Sequence, residues 1–394
     1  MKIGILTYYG DLNCGTNLQA FSTLRAVKSI YPNDCVEIIP FHGFNPDIRP
    51  YLSNCTIRSL LRDWSRIRKY RQFKQQQLEV KNDRIIQSPQ EALAYIKARR
   101  YDTIFIGADT LLELNRLPQH YDGLSAYWLS PEIKARKILL AASAKNIEYD
   151  KLSHKQKADM EATLLDFSAF GVRDDMTRQL ISHFVPDDKI VSIPDPTFSL
   201  EIDYHPIQSY LQKKHIEIPR KCICIHCYRT DKWASSVASR LKTQGYTIAS
   251  FRPMPWADIV LNDLSPLEQA GIFRYFHFVI THRFHEGIFS LKNKIPVLLY
   301  VNENTNLKTS NGDSKYSDLM KLFGLYPTNI IDSGTIDAER ILSQIPVAID
   351  VYNKKRQELD KTLQNLSDRY INFIKDTHLR PYKKSCETLQ GYSF

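Results

Sequence analysis

The sequence predicts an α/β fold built from two doubly wound, Rossmann-like lobes and a closing C-terminal helix. Two observations carry this expectation. Short β-branched or apolar runs alternate with helical patterns through the first half of the chain, which is the pattern of parallel strands joined by helical crossovers. After the polar stretch that begins at Glu201 the same alternation starts again. The expected boundaries are 1–200 for an N-terminal lobe, 201–345 for a C-terminal lobe and 346–394 for the helix and a polar tail. A length of 394 residues with 43% apolar and 24% charged content excludes disordered, collagenous and disulfide-stapled miniprotein classes.

The first strand is expected over residues 2–9, a β-branched and aromatic run that gives way to the turn-rich segment Gly10 to Asn17. Leu18, Phe21, Leu24 and Val27 then recur at helical spacing, so a helix N-terminus is aimed above the strand, where anions bind readily. Strands follow at Val36 to Pro40, Tyr101 to Ile106, Lys137 to Ala142, Ala169 to Val172 and Ile190 to Ile193, with helices from Pro89 to Ala98 and His154 to Leu165 between them. The second unit has strands at Cys222 to His226, Thr247 to Phe251, Phe278 to Thr281, Val297 to Tyr300 and Asn329 to Ile331. Val351, Leu359, Leu363, Leu366 and Ile371 mark one face of a long helix, and the tail from Thr377 is polar. Two such lobes place a ligand between them, at the carboxyl ends of the strands.

No apolar stretch approaches the roughly 18 residues of a membrane span, and Met1 to Gly10 lacks the long apolar core of a signal peptide. A cytoplasmic protein, peripheral at most to the inner membrane face, is the expectation. Seven cysteines, an odd number, read as reduced thiols. The excess of 53 Lys and Arg over 43 Asp and Glu gives +10, which favours anionic ligands or surfaces.

The densest candidate site is Thr281-His282-Arg283-Phe284-His285-Glu286-Gly287, between an apolar strand and a helical pattern. A guanidinium fork matches phosphate or carboxylate oxygens, and an imidazole trades protons near neutral pH. Arg283 is therefore a candidate anion clamp and His285 a candidate general acid. Local capping or pairing is the structural reading of His282 and Arg283. Asp109 and Asp195 fall at strand ends, where each orients a ligand or caps the next element. Asn13, Gly15 and Asn17 follow the first strand where backbone N–H groups meet anions, although Asn-x-Gly also serves any tight turn.

The stretch from Asp263-Leu264-Ser265-Pro266 through Val279-Ile280-Thr281-His282-Arg283-Phe284-His285 to Lys294-Ile295-Pro296-Val297 resembles the signature of the polysaccharide pyruvyltransferase family. Thr7 to Gln19 is similar to the family's Asn-x-Gly loop followed by Leu-Gln, and Ile106-Gly107-Ala108-Asp109 to its Gly-Ser-Asp turn. Phe170-Gly171-Val172-Arg173-Asp174 and Pro194-Asp195-Pro196-Thr197 match two further stretches, so the resemblance runs from about residue 3 to 325. It implies a GT-B-like fold and transfer of pyruvate from phosphoenolpyruvate onto a sugar as a cyclic ketal. The family's Arg-x-His motif falls on Arg283 and His285, and its other arginine on Arg173. Two departures stand out: Ala108 replaces the usual Ser, and Thr110-Leu111-Leu112 replaces Gln-x-Trp.

Read as chemistry, Arg173 and Arg283 on facing lobes would each hold one anion of the donor. Protonation of C3 by His285 makes C2 electrophilic toward a sugar hydroxyl, with His282 or Glu286 as the base. The substituted turn after Asp109 and the segment Asn302 to Ser314 are candidates for acceptor contacts. No metal and no cofactor beyond the donor substrate are expected. Cys222, Cys224, His226 and Cys227 pack zinc-ligand types into six residues, but strand alternation separates them, so a core strand is expected with His226 at its cleft end. Residues 58–74 form a basic amphipathic helix with Leu60, Trp64, Ile67 and Tyr70 at helical spacing. It suits an anionic leaflet or the diphosphate of a lipid-linked saccharide, or else packs on its own lobe. Nucleic acid is not expected, since no recognition motif accompanies the charge. The alternative function is a GT-B-type nucleotide-sugar glycosyltransferase; the chain contains no Asp-x-Asp triplet, which disfavours only metal-dependent transfer.

Overall fold

A computed structural model describes residues 1–41, 57–80, 86, 88–114, 119–120, 124–144, 147–301 and 315–379. In the N-terminal lobe, β1 (Lys2–Leu6), β2 (Cys35–Ile38), β3 (Thr103–Ile106), β6 (Arg136–Ala142), β7 (Phe167–Val172) and β8 (Ile190–Ser192) form one parallel sheet in the order β2-β1-β3-β6-β7-β8. A two-stranded antiparallel ribbon, β4 (Gln119–His120) with β5 (Leu124–Ser125), stands apart from it. The second parallel sheet takes β9 (Cys222–His226), β10 (Thr247–Ser250), β11 (Ile259–Val260), β12 (Phe278–Thr281), β13 (Val297–Tyr300) and β14 (Ile330–Ile331) in the order β11-β10-β9-β12-β13-β14. The predicted α/β architecture of two lobes is therefore the observed one. The ribbon and β11 are too short to leave a periodic trace in the sequence.

Local chemistry starts the helices where the sequence changes period. Asn13 caps α1 (Cys14–Ile30) by accepting from the Gly15 amide. The segment Ile57–Gln76 is α2 and Pro89–Arg99 is α3, the latter opened by Ser88 with proline in its first turn. Ser153 forms a reciprocal capping box with Gln156 at α4 (His154–Leu164), and Asp174 caps α5 (Asp175–Ser182). The helices of the second lobe are α6 (His205–Lys214), α7 (Trp233–Thr243), α8 (Pro266–Ile272), α9 (Phe284–Lys292) and α10 (Lys315–Leu322). Ser265, Pro266 and Glu268 build the second capping box, at α8, which gives the Asp-Leu-Ser-Pro motif a structural duty.

The last helix, α11 (Ala338–Leu379), ties the lobes together. Its early residues Ile341, Ile345 and Ala348 lie in the core behind the second sheet. Farther along, the Tyr370 hydroxyl is 3.0 Å from that of Thr23, and Arg369 donates to the Ser192 carbonyl at 2.8 Å. One apolar core runs across the junction, with Leu18 and Phe198 of the first lobe packed together with Phe273, Phe289 and Tyr370. Residues 380–394, and with them most of the polar tail, lie outside the described residues.

In both sheets the chain reverses its direction of growth beside the first strand. The switch points fall between β1 and β3 and between β9 and β12, the places where doubly wound sheets open a crevice at their carboxyl ends. The two crevices face each other, and one cavity is lined from both.

Candidate active site

That cavity has a volume of about 280 Å³. The loop after β1 contributes Asp11, Asn13 and Gly15, the turn after β3 contributes Asp109, the end of β9 contributes His226, and the turn after β12 contributes Arg283, His285 and Glu286. Each comes from a strand's carboxyl end, because a strand that stops at the sheet edge delivers the following residues to the crevice.

His285 stands at the junction of the lobes. A Cβ at Gly15 would lie 2.1 Å from its Nδ1, so the imidazole occupies the space left by the absent side chain. On the other side its Nε2 is 3.5 Å from Asp195 Oδ2, a charge contact longer than a hydrogen bond. Asp195 is almost fully buried and shared by four groups. Its Oδ2 accepts from Gln19 Nε2 at 2.6 Å and from Arg173 Nη1 at 3.1 Å, while its Oδ1 accepts from the Thr197 hydroxyl and amide at 2.6 and 3.0 Å. Burial by itself would raise the Asp195 pKa, but His285, Arg173 and Thr197 outweigh it and hold the carboxyl far below the usual range. Asp195 is thus both a cap for the 3-10 turn Pro196–Ser199 and a partner of His285.

Arg173 also approaches Asp109 Oδ1 at 3.5 Å. Burial opposes the Asp109 charge, yet Arg173, Lys315 and His285 keep its pKa lowered. Asp109 has φ +80°, a left-handed conformation, and the preceding Gly107 is required because a Cβ there would meet the Leu140 carbonyl oxygen at 1.6 Å. Arg173 therefore does not stand as an open anion clamp: two carboxylates hold its guanidinium, which lines a smaller neighbouring cavity with Asp195 and Thr110. Of the two arginines expected to take one anion each, Arg173 is thus already engaged by two carboxylates. Within the substituted turn, Thr110 lines that smaller cavity whereas Leu111 and Leu112 are core residues. The other acceptor candidate, 302–314, lies outside the described residues.

Arg283 is exposed at the cavity wall, and its guanidinium has no hydrogen bond or ion pair among the described residues. Arg252, just past β10, shares that wall and is likewise without a side-chain partner among them. Burial and the repulsion of Arg283 lower the Arg252 pKa. Arg66 of α2 reaches the same cavity and donates to the Leu12 carbonyl at 2.7 Å.

The two remaining members of the motif part company. Glu286 is buried and binds His226 Nδ1 at 2.7 and 2.9 Å, the Thr281 hydroxyl at 2.6 Å and Gln269 Nε2 at 3.2 Å. Burial raises its pKa, but His226 and Thr281 bring it down to about 2. His282 turns away from the larger cavity, and its Nδ1 is 3.0 Å from the His226 carbonyl oxygen. Burial, with His226 and Arg283 nearby, lowers its pKa to about 3.

Asn13 lines the cavity and caps α1. Asn17 is fully buried; its amide donates to the Asp11 and Asn13 carbonyls at 2.7 and 2.8 Å and accepts from the Gly10 amide at 3.0 Å, so it braces the loop without lining the cavity. Arg252 and His226 line the same cavity and Gln19 backs it through Asp195; His226 stands at the expected cleft end of its strand, whereas Arg252 and Gln19 left only a weak trace in the sequence. On α2, Ile67, Tyr70 and Phe73 are buried whereas Trp64 is 60% exposed, which breaks the expected stripe. Ser65 and Lys69 bind Asp263 and Glu268 of the second lobe at 3.0 and 2.8 Å.

The fold and this two-sided cleft define a GT-B-like architecture. Among solved structures it is similar to UDP-GlcNAc 2-epimerase from Neisseria meningitidis (TM-score 0.53, 12% identity, 96% of this chain and 100% of that one). A putative UDP-N-acetylglucosamine 2-epimerase from Listeria monocytogenes (0.52, 10%, 96% and 95%) and the UDP-GlcNAc 2-epimerase of Methanocaldococcus jannaschii (0.51, 10%, 88% and 92%) are similar too. At such identities the likeness is one of fold alone. No curated protein matches by sequence. Residues 13–304 match the polysaccharide pyruvyl transferase family, and the chain belongs to it. The family implies a transferase with a donor and a saccharide acceptor. No helix among the described residues is long and apolar enough to cross a membrane.

Proposed function

We propose that the protein moves pyruvate from phosphoenolpyruvate onto a sugar of a cell-surface polysaccharide or its lipid-linked precursor, forming a ketal. The observation that carries this reading is His285, set between Gly15 and Asp195 at the lobe junction and facing a cavity whose wall holds Arg252 and Arg283, neither with a side-chain partner among the described residues. Phosphoenolpyruvate carries a phosphate and a carboxylate, and two open guanidiniums match them by charge-assisted bonds. His285, held against the buried Asp195, delivers a proton to C3 of the donor. Arg173 acts as a positioning residue, since it fixes Asp195 and Asp109 around that histidine. The exposed face of α2, with Trp64, Arg68 and Arg71, suits an anionic leaflet on which a lipid-linked acceptor would be presented.

Thermal unfolding with added ligands tests the donor. Phosphoenolpyruvate at 100 times its dissociation constant stabilises by about 2.7 kcal/mol, and a clear rise in Tm is expected. A rise with uridine nucleotides and none with phosphoenolpyruvate supports the glycosyltransferase reading instead.

A further inference from the structure

We infer that His226 is the general base that takes the proton of the attacking sugar hydroxyl, with Glu286 as the residue that positions it; this rests on the pyruvyl transfer proposed above. His226 ends β9 at the second switch point, is 7% exposed and lines the same cavity as His285. Its Nδ1 faces both oxygens of the Glu286 carboxylate, at 2.7 and 2.9 Å. An ionised carboxylate only accepts, so Nδ1 carries the hydrogen, and in the neutral ring the lone pair is left on Nε2. That atom is buried and has no hydrogen-bond partner among the described residues.

Burial and the nearby arginines disfavour the protonated ring. Among the described residues Glu286 is the carboxylate against it, already engaged by Thr281 and Gln269. Arg252 and Arg283 approach from β10 and the turn after β12, and the His282 ring centroid is 5.2 Å away. Burial, with these two arginines, lowers the His226 pKa against the pull of Glu286. The cavity thus offers two imidazoles in different settings, His285 beside the buried Asp195 and His226 with Nδ1 on Glu286 and Nε2 without a hydrogen-bond partner among the described residues.

The step balances. The hydroxyl oxygen bonds to C2 of phosphoenolpyruvate as its proton passes to Nε2 of His226, and the C2–C3 π pair takes a proton from His285. The C2–O bond to phosphate then breaks, and phosphate leaves with the proton held by His226. The second hydroxyl closes the ketal and returns its proton to His285, so both histidines end as they began.

The test compares wild type with His226→Gln and Glu286→Gln. Glutamine at 226 accepts a hydrogen bond but no proton. At 286 it no longer presents two acceptor oxygens to Nδ1, so the hydrogen is no longer held there. Both variants should lose kcat by roughly 10²- to 10⁴-fold, keep the phosphoenolpyruvate thermal shift and lose the acid limb of the kcat/KM profile. Unchanged kcat in His226→Gln, or a raised KM for phosphoenolpyruvate with kcat intact, overturns the assignment. Long-range proton–nitrogen NMR of His226 in the wild type guards against a misfolded variant: the hydrogen is expected on Nδ1, and finding it on Nε2 contradicts the inference. A wild-type protein that binds phosphoenolpyruvate but forms no ketal overturns the parent reading, and with it this one, whereas ketal formation that survives in His226→Gln overturns only this one.

Discussion

The imidazole of His285 fills the place where Gly15 would carry a side chain: a Cβ there would stand 2.1 Å from Nδ1 and 2.5 Å from Cγ. The contact brings the lobes together at the imidazole on which the proposed proton transfer depends. Gly15 is thus required in the Asn-x-Gly loop by close approach across the cleft, since any side chain would push the histidine away from Asp195. Gly15→Ala is expected to lower kcat by about 10²-fold, the cost of displacing a catalytic group by about 1 Å, with a Tm close to wild type. Steady-state kinetics and thermal unfolding on the same preparation check it, and unchanged kcat would show that the contact is incidental.

Asp195 joins Gln19, Arg173, Thr197 and His285 in one buried array. Asp195→Asn leaves Arg173 short of a carboxylate in a buried setting, and a stability loss of about 3 to 5 kcal/mol is expected. The pH dependence has a definite sign. Because its folded pKa lies below the unfolded value of about 3.9, the carboxylate's contribution is complete above that value and is lost as pH falls toward the folded pKa. The stability gap between wild type and Asp195→Asn, read from urea unfolding, should hold from neutral pH to about pH 5 and shrink below it. A gap that widens with acid contradicts the array.

The arginines should separate kinetically. Arg283 and Arg252 stand open to the cavity, so Arg283→Ala and Arg252→Ala should raise KM for phosphoenolpyruvate by roughly 10- to 100-fold, the effect of about 1.5 to 3 kcal/mol in charged hydrogen bonds. Arg173 is occupied by two carboxylates. Arg173→Ala should instead lower kcat with a smaller effect on KM. The opposite pattern would return Arg173 to the role of anion clamp.

The outer face of α2 makes a separate prediction. Trp64 is 60% exposed beside Arg68 and Arg71, while the inner face is spent on Ile67, Tyr70 and the interlobe pairs of Ser65 and Lys69. Cosedimentation with phosphatidylserine vesicles should fall by roughly 30-fold in the Arg68→Ala, Arg71→Ala double variant, about 1 kcal/mol per charge, and should weaken with salt. Binding that ignores both would assign this face to solvent.

Much of this was legible in the sequence, for physical reasons. Fully buried parallel strands such as Arg136–Ala142 must be nearly continuous apolar runs, so alternation disclosed both lobes. Arg283, His285 and Glu286 announced themselves by following an apolar strand directly. Long-range pairing was not legible. Nothing local says that Gln19 meets Asp195 176 positions away, or that Arg173 is captured by two carboxylates. His282 and Glu286 appeared equivalent as bases because a one-dimensional motif hides which side chain faces inward; helix α9 buries Glu286 against His226, and His282 turns toward the His226 carbonyl. Trp64 fits a helical stripe by spacing alone, yet the lobe covers only Ile67, Tyr70 and Phe73.

The most direct measurement incubates the protein with phosphoenolpyruvate and a panel of galactosides and mannosides bearing lipid-like aglycones, followed by mass spectrometry of the acceptors. A mass gain equal to pyruvic acid less water, matched by released phosphate and absent with His285→Ala, is the predicted result. No gain with any acceptor, together with stabilisation by a uridine nucleotide and none by phosphoenolpyruvate, would contradict the account.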